Sequence, residues 1–414
     1  MTYNSIFGEC AELCSEKVDP QFFRDSPYIG LEHIEQQTLS ISGSGWGVDV
    51  NSQKQKFKKG DILFGKLRPY FRKVVIAPFD GICSTDIWVV RPKPGMDRNF
   101  VFYWMASEEF VSSSTFASEG GRMPRAKWDW VSRFRLPYLP LKQQQVIGKT
   151  LRILDEKIET NKQLSKTLED IAQTIFKSWF IDFDPVKAKM AGEKPVGMDD
   201  ATAALFPDSM EDSELGLMPV GWVIQSLDDI ADYLNGLAMQ KFPVTDASRT
   251  LPVIKIAQLR AGNTQVADIA SGLLDAKYII SDGDILFSWS GTLEVEIWSG
   301  GPGALNQHLF KVSGKSQPAW FAYFGTRYFL ESFRQIASGK ATTMGHIQRA
   351  HLSEAQLPIP PDLIVEKLAE IISPLMALSL SAKVQNKSLV SIRDSLLPRL
   401  ISGELQIPEE MLAS

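Results

Sequence analysis

Cysteine and histidine are scarce here: three cysteines and four histidines in 414 residues. Cys10, Cys14 and Cys83 cannot pair completely, and Cys10-x3-Cys14 is followed by no second ligand pair. A disulfide framework or a structural metal site is therefore not expected, and the reading is reduced thiols in the cytoplasm. No apolar run reaches about 18 residues, so no membrane span is expected. The first residues, Met1-Thr2-Tyr3-Asn4-Ser5, lack a basic stretch leading into an apolar core, so no secretory signal is expected.

Catalytic signatures are missing as well. Gly148-Lys149-Thr150 has the ending of a phosphate-binding loop, but Gln143 stands where the motif needs glycine and no strand precedes it. A Gly-x-Ser-x-Gly elbow at Gly43–Gly47 would need serine at Gly45. There is no Asn/Asp-Pro-Pro-aromatic tetrapeptide and no Gly-rich loop for S-adenosylmethionine. The chain reads as a recognition and assembly component, not an enzyme.

What the chain does have is a repeat. Gly60-Asp61-Ile62-Leu63-Phe64 returns as Gly283-Asp284-Ile285-Leu286-Phe287. Tyr28–Ile34 lies opposite Val253–Leu259, Gly81–Val90 opposite Gly303–Val312, and Leu136-Pro137 opposite Leu357-Pro358. The separation drifts smoothly along the chain, which chance matches do not do. Asp61 and Asp284 are expected to close turns before a strand.

The first copy combines short β-branched and aromatic strands, such as Lys73–Ala77 and Ile87–Val90, with a helix. In the first copy one helix is expected over 99–116, with Phe100, Tyr103, Trp104 and Phe110 as core. A long helix follows each copy. Ile147, Leu151, Leu154, Ile158, Asn161, Ser165, Leu168, Ala172, Ile175 and Trp179 alternate in steps of four and three. So do Ile364, Leu368, Ile371, Leu375, Leu378, Ala382, Gln385, Leu389, Ile392 and Leu396. These are coiled-coil seams, with Asn161 and Gln385 as polar members that set register. Ser373-Pro374 is expected to split the second helix into a short and a long piece.

The expected fold class is mixed α/β (α+β): two globular domains joined by two long antiparallel coiled-coil helices, with pseudo-two-fold internal duplication. The expected boundaries are 1–142, helix 143–182, linker 183–214, 215–361, helix 362–405 and tail 406–414. A helix over 146–180 spans roughly 50 Å.

Net charge is −5, yet it is segregated. Residues 52–76 hold Lys54, Lys56, Lys58, Lys59, Lys66, Arg68, Arg72 and Lys73 against Asp61 alone. Arg122, Arg125, Lys127, Arg133 and Arg135 oppose only Asp129. Residues 182–214 carry nine acids and three lysines. A basic first domain suits phosphate contact.

Two divergent domains alternating with two helical segments resemble the specificity (S) subunit of Type I restriction–modification systems. The resemblance covers essentially the whole chain. Its most specific stretches are Ala172–Lys189, Ala203–Ser209 and Leu396–Leu405. It implies that each globular part is a target recognition domain reading half of a bipartite, asymmetric DNA site. It implies that the helices form a spacer and bind two modification subunits. Two restriction subunits would join as well. S-adenosylmethionine, ATP and Mg would sit on those partners, with no cofactor or metal in this chain and no membrane association. The competing reading is a coiled-coil protein scaffold without sequence-specific DNA binding.

Base-reading residues are expected where the copies differ. The candidates in the first copy are Lys66, Arg68, Arg72, Ser44, Arg122, Arg125 and Lys127. In the second they are Ser288, Ser290, Thr292, Lys340, Thr342, Thr343, His346 and Arg349. Arginine suits guanine, and serine and threonine are promiscuous. Asn306, Gln307 and His308, opposite Ser84, Thr85 and Asp86, either read adenine or close a turn.

Overall fold

The computed structural model describes all residues except 1–4, 117–122, 137–138, 340–344 and 414. The chain divides into two units, Met1–Lys157 with Leu389–Ser414, and Ile158–Ser388. Among the described residues no helix is long and apolar enough to cross a membrane.

In the first unit the strands are β1 (Ala11–Cys14), β2 (Lys17–Val18), β3 (Pro27–Ile29), β4 (Gly45–Trp46), β5 (Lys54–Phe57), β6 (Ile62–Gly65), β7 (Val74–Ile76), β8 (Gly81–Cys83) and β9 (Ile87–Pro92). They form a four-stranded sheet, β1-β9-β6-β7, and a five-stranded sheet, β2-β5-β8-β3-β4. The second unit carries β10 (Ala231–Asn235), β11 (Thr250–Ile254), β12 (Ile269–Ser271), β13 (Ile279–Ile280), β14 (Ile285–Ser288), β15 (Val295–Ile297), β16 (Gly303–Leu305) and β17 (Leu309–Gly314). Its sheets are β10-β17-β14-β15 and β12-β11-β16-β13. Each unit has one parallel pair in its second sheet, with Tyr28 opposite Ile82 and Val253 opposite Ala304. The duplication is thus one of strand topology and register, not of sequence alone.

The repeated pentapeptide explains itself residue by residue. Gly60 and Gly283 sit at φ +92° and +96°, a conformation that strongly favours glycine. Asp61 accepts a hydrogen bond from the Lys58 amide at 2.8 Å, and Asp284 one from Ser281 at 2.8 Å. Both therefore close turns, as expected. The three apolar residues then alternate across the strand. Ile62 and Phe64 join the core that includes the helices, while Leu63 enters a second core on the other face. Ile285 and Phe287, against Leu286, divide in the same way.

The helix expected over 99–116 is two, α1 (Arg98–Ala106) and α2 (Glu108–Phe116). Ser107 breaks it: its hydroxyl donates to the Trp104 carbonyl and accepts from the Phe110 amide, so it ends one helix and starts the next. Phe100, Tyr103, Trp104 and Phe110 are all buried, as core.

The two long helices are α3 (Leu141–Phe180) and α4 (Asp362–Ile401). Within the second unit they run antiparallel. Asn161 donates to Gln385 at 2.7 Å, and Ser165 meets Ser379 at 2.7 Å, so rising numbers on α3 meet falling numbers on α4. The α3 seam is as expected: Leu151, Ile158, Asn161, Ser165, Leu168 and Ala172 are buried, and Leu154 and Ile175 half-buried. The α4 seam is not. Ile371, Leu378, Gln385 and Ile392 are exposed, while Ile372, Ser379 and Arg393 are buried. Leu375, Leu389 and Leu396 are half-buried. The buried stripe runs one residue further along at those turns. Apolar periodicity missed it because two of its members are polar and are satisfied by partners.

Nor does Ser373-Pro374 split α4, which is continuous. An interior proline removes one helix hydrogen bond and costs about 3 kcal/mol. Burial of Ile372 and Met376 on either side offsets that cost. Residues 183–214, expected as linker, are packed structure. They hold short helices Asp184–Met190 and Asp200–Ala204, and Val186 and Phe206 belong to the second unit's core.

Candidate nucleic-acid interface

Three segments meet at one corner of each domain. They are the loop after the pentapeptide strand, the turn before the last sheet strand, and the stretch before the closing segment. The same backbone hydrogen bonds hold them in both copies. Lys66 N–H donates to Asp86 O at 2.9 Å, as Trp289 does to His308 at 3.4 Å. Arg68 N–H donates to Pro124 O at 2.8 Å, as Gly291 does to Gly345 at 2.8 Å. Ala126 N–H donates to Lys66 O at 2.9 Å, as Ile347 does to Trp289 at 2.9 Å. Isolated β-bridges join Leu67 to Arg125 and Ser290 to His346. The frame is one frame built twice, and the side chains it displays are different.

In the first copy the corner is charged. Arg125 donates to Asp86 through Nε at 2.8 Å and Nη2 at 3.3 Å. That carboxylate pushes the exposed Arg125 guanidinium above its ordinary range. Lys127 is exposed and precedes the short helix Trp128–Val131. Lys66 and Arg68 are half-exposed. Arg68 sits at φ +52°, whereas its counterpart Gly291 sits at φ +67°. The left-handed conformation is nearly free for glycine and costs another L-residue about 1–2 kcal/mol. The Arg68 guanidinium forms no hydrogen bond or ion pair among the described residues. An arginine strained in its backbone and unoccupied in its side chain is what a reader of external groups looks like.

Arg72 stands elsewhere. Its side chain is 14% exposed and pairs with Asp394 at 3.4 Å. Burial pulls it below its ordinary range, and Asp394 offsets part of that effect. Arg72 is thus tied to α4, and the expected base-reading role gives way to a structural one. Ser44 is exposed beside the edge strand β4. Arg122 lies outside the described residues.

In the second copy the corner is aromatic and amide-rich. Trp289 packs between His308, at 6.0 Å, and His346, at 6.3 Å between ring centroids. Its indole N–H donates to Asn235 Oδ1 at 3.0 Å and to the Gln307 carbonyl at 3.2 Å. Ser290 Oγ lies 2.9 Å from His308 Nδ1. Thr292 is exposed. Ser288 is fully buried, and its hydroxyl serves its own turn at Thr292 O and Glu294 O. It is reassigned from reader to turn residue because no face of it reaches solvent. Arg349 donates to Tyr233 O at 2.9 Å and lies over the Phe310 ring, which ties it to the scaffold. Lys340, Thr342 and Thr343 lie outside the described residues.

Trp289 and Asp86 are not among the candidate readers, and for His308 the sequence leaves open reading adenine or closing a turn. Only the internal alignment could have found them, since it sets Asp86 against His308 and Lys66 against Trp289. Asn306 is buried and accepts from the His308 amide at 3.3 Å, so it closes a turn. Among the described residues no group of three or more His, Cys, Asp or Glu is placed to hold a metal ion.

The fold and these paired corners define a duplicated recognition chain, with one scaffold presenting two different surfaces. The family described as the Type I restriction modification DNA specificity domain matches twice, at residues 13–170 and 219–388. The chain belongs to that family and is a specificity subunit of a Type I restriction–modification complex, a non-catalytic component. It is 27% identical over 405 residues to the Type I restriction enzyme HindI specificity subunit of Haemophilus influenzae, covering 85% of this chain and 88% of that one. It is 26% identical over 363 residues to the MjaIX specificity subunit of Methanocaldococcus jannaschii, covering 85% and 79%. The crystal structure of the Type I restriction–modification S subunit from M. genitalium has a TM-score of 0.50 at 14% identity, covering 96% of this chain and 95% of that chain. That likeness is one of fold.

Proposed function

We propose that each domain reads one half of a bipartite, asymmetric DNA target through its corner. The observation that carries this is the matched hydrogen-bond frame displaying Lys66, Arg68 and Arg125 in one copy and Trp289, His308 and His346 in the other. Phosphate contacts position a protein on DNA, and side chains at base edges specify sequence. Two different half-sites need two different side-chain sets on equivalent scaffolds.

In this reading 1–142 and 215–361 are the recognition domains, and 143–182 with 362–405 are the helical spacer. The spacer binds two modification subunits. S-adenosylmethionine belongs to those subunits. ATP and Mg belong to two restriction subunits of the same complex.

The test is adenine-methylation mapping in cells carrying this chain with its modification subunit, against cells lacking only this chain. A bipartite motif that vanishes with the chain supports the proposal and gives both half-sites. An unchanged methylome with an active modification subunit refutes it and favours a protein scaffold.

A further inference from the structure

We infer that Gln307 reads an A·T base pair in the second half-site, with His308 and Trp289 as its positioning residues. This rests on the proposed DNA-reading role of the second corner. Gln307 is half-exposed at the tip of the turn between β16 and β17. Its backbone is fixed twice: its amide donates to Leu237 O at 2.9 Å, and its carbonyl accepts the Trp289 indole N–H. Its side-chain Nε2 lies 3.3 Å from His308 Nε2.

The hydrogen-bond chemistry fixes what that amide presents. A side-chain amide has two N–H donors and one carbonyl acceptor. A donor facing His308 Nε2 requires that nitrogen to be the acceptor of a neutral imidazole. The proton is then on Nδ1, where Ser290 Oγ accepts it at 2.9 Å. One N–H of Gln307 is thereby engaged, leaving one donor and the carbonyl oxygen side by side. That pair matches adenine, whose N7 accepts and whose N6 amino group donates in the major groove. Asn235 and the Gln307 carbonyl hold the Trp289 ring beneath this arrangement. In the first copy Thr85 and Asp86 take the equivalent places and Asp86 is bound to Arg125, so no such amide exists there.

The experiment uses the full chain with its modification subunits and compares wild type with Gln307→Met, Gln307→Glu and His308→Phe. Methylation motifs and binding to duplexes varied at each base pair of both half-sites are measured. Gln307→Met keeps the volume and removes the hydrogen bonds. It should relax discrimination at one A·T pair of the second half-site by about tenfold to a hundredfold. Gln307→Glu, an acceptor only, should move the preference at that pair toward cytosine, whose N4 donates. His308→Phe should relax the same pair by less and no other.

The inference is overturned by unchanged discrimination throughout the second half-site, or by equal weakening on every sequence. It is also overturned if all variants lose methylation together with a lowered melting temperature, which would make Gln307 a turn residue. Absence of any bipartite motif with the wild-type chain would instead overturn the DNA-reading role itself.

Discussion

Replacing Arg68 with glycine separates what that residue costs the fold from what it does outside it. Its backbone is at φ +52°, and the matching position of the second copy is already glycine at φ +67°. Relief of left-handed strain is worth about 1–2 kcal/mol. Glycine adds freedom to the unfolded chain, which takes back roughly 0.4–1 kcal/mol. The net expectation is a gain of about 0.5–1 kcal/mol, or roughly 1–4 °C in the melting temperature of a unit of this size. No intramolecular partner of the guanidinium is lost among the described residues. Binding should move the other way. Loss of a bidentate guanine contact removes about 1–3 kcal/mol of discrimination at one base pair. The assay is a thermal melt of the chain beside binding of its methyltransferase complex to duplexes varied one base pair at a time. A variant that melts lower and binds unchanged would refute the reasoning, because Arg68 would then be packing and not reading. Equal weakening on all sequences would reduce Arg68 to a phosphate contact.

Three further outcomes follow from the same geometry. Lys127→Ala should weaken binding on all sequences alike and lower the salt slope by about one; a loss confined to one base pair would contradict this. Arg393→Met should destabilise the first unit by about 3 kcal/mol, since Arg393 is 1% exposed and Asp155, 2.8 Å away and 14% exposed, would lose its cation; a melting temperature within a degree of wild type would count against it. For Glu169, burial alone would push the carboxyl up, but Lys383, Ser379 and Arg327 outweigh it and hold it below the usual carboxylate range. A depressed carboxylate stabilises the fold fully above its unfolded value of about 4.3, and that stability is lost as pH falls through the lower folded value. Melting of Glu169→Gln should therefore be lower than wild type at pH 7, and the gap should narrow as pH falls below about 4.3. Parallel pH profiles would show that the network does not act through this charge.

The strands and the duplication were legible because burial wrote them in apolar residues at fixed spacing. Ile62, Leu63 and Phe64 announce a strand covered on both faces, and Gly60 and Asp61 announce its turn. The broken helix at Ser107 was not legible, because one hydroxyl serving both ends looks like any helical serine. The α4 stripe was misread for a related reason. Periodicity counts apolar residues, and the stripe holds Ser379 and Arg393. Ile371, Leu378 and Ile392, one residue earlier, are apolar and exposed. At each corner the segments named from the sequence lie side by side, Lys66 and Arg68 beside Arg125 in one copy and Ser290 beside His346 in the other. The sequence could not show that Ser288 and Ser290 are both buried, one bound to its own turn and the other to His308, or that Arg72 is bound to Asp394.

The polar members of the helix seam carry the same lesson into function. In the second unit Asn161 meets Gln385, Ser165 meets Ser379, and Glu169 accepts from both Ser379 and Lys383. In the first unit Asp155 holds Arg393 and accepts from the Tyr103 hydroxyl. An all-apolar seam would bury more cheaply, since buried ion pairs rarely add net stability over packed hydrocarbon. What polar pairs add is uniqueness, because a slip of one turn leaves the buried Asn161, Ser165 and Ser379 without their partners. In the proposed reading, where the helices set the gap between two half-sites, one register is needed above all. We therefore expect Asn161→Leu combined with Gln385→Leu to keep or raise the melting temperature while blurring the spacer length in the methylated motif. A sharper melt with an unchanged single spacer would show that register is set by the apolar residues alone.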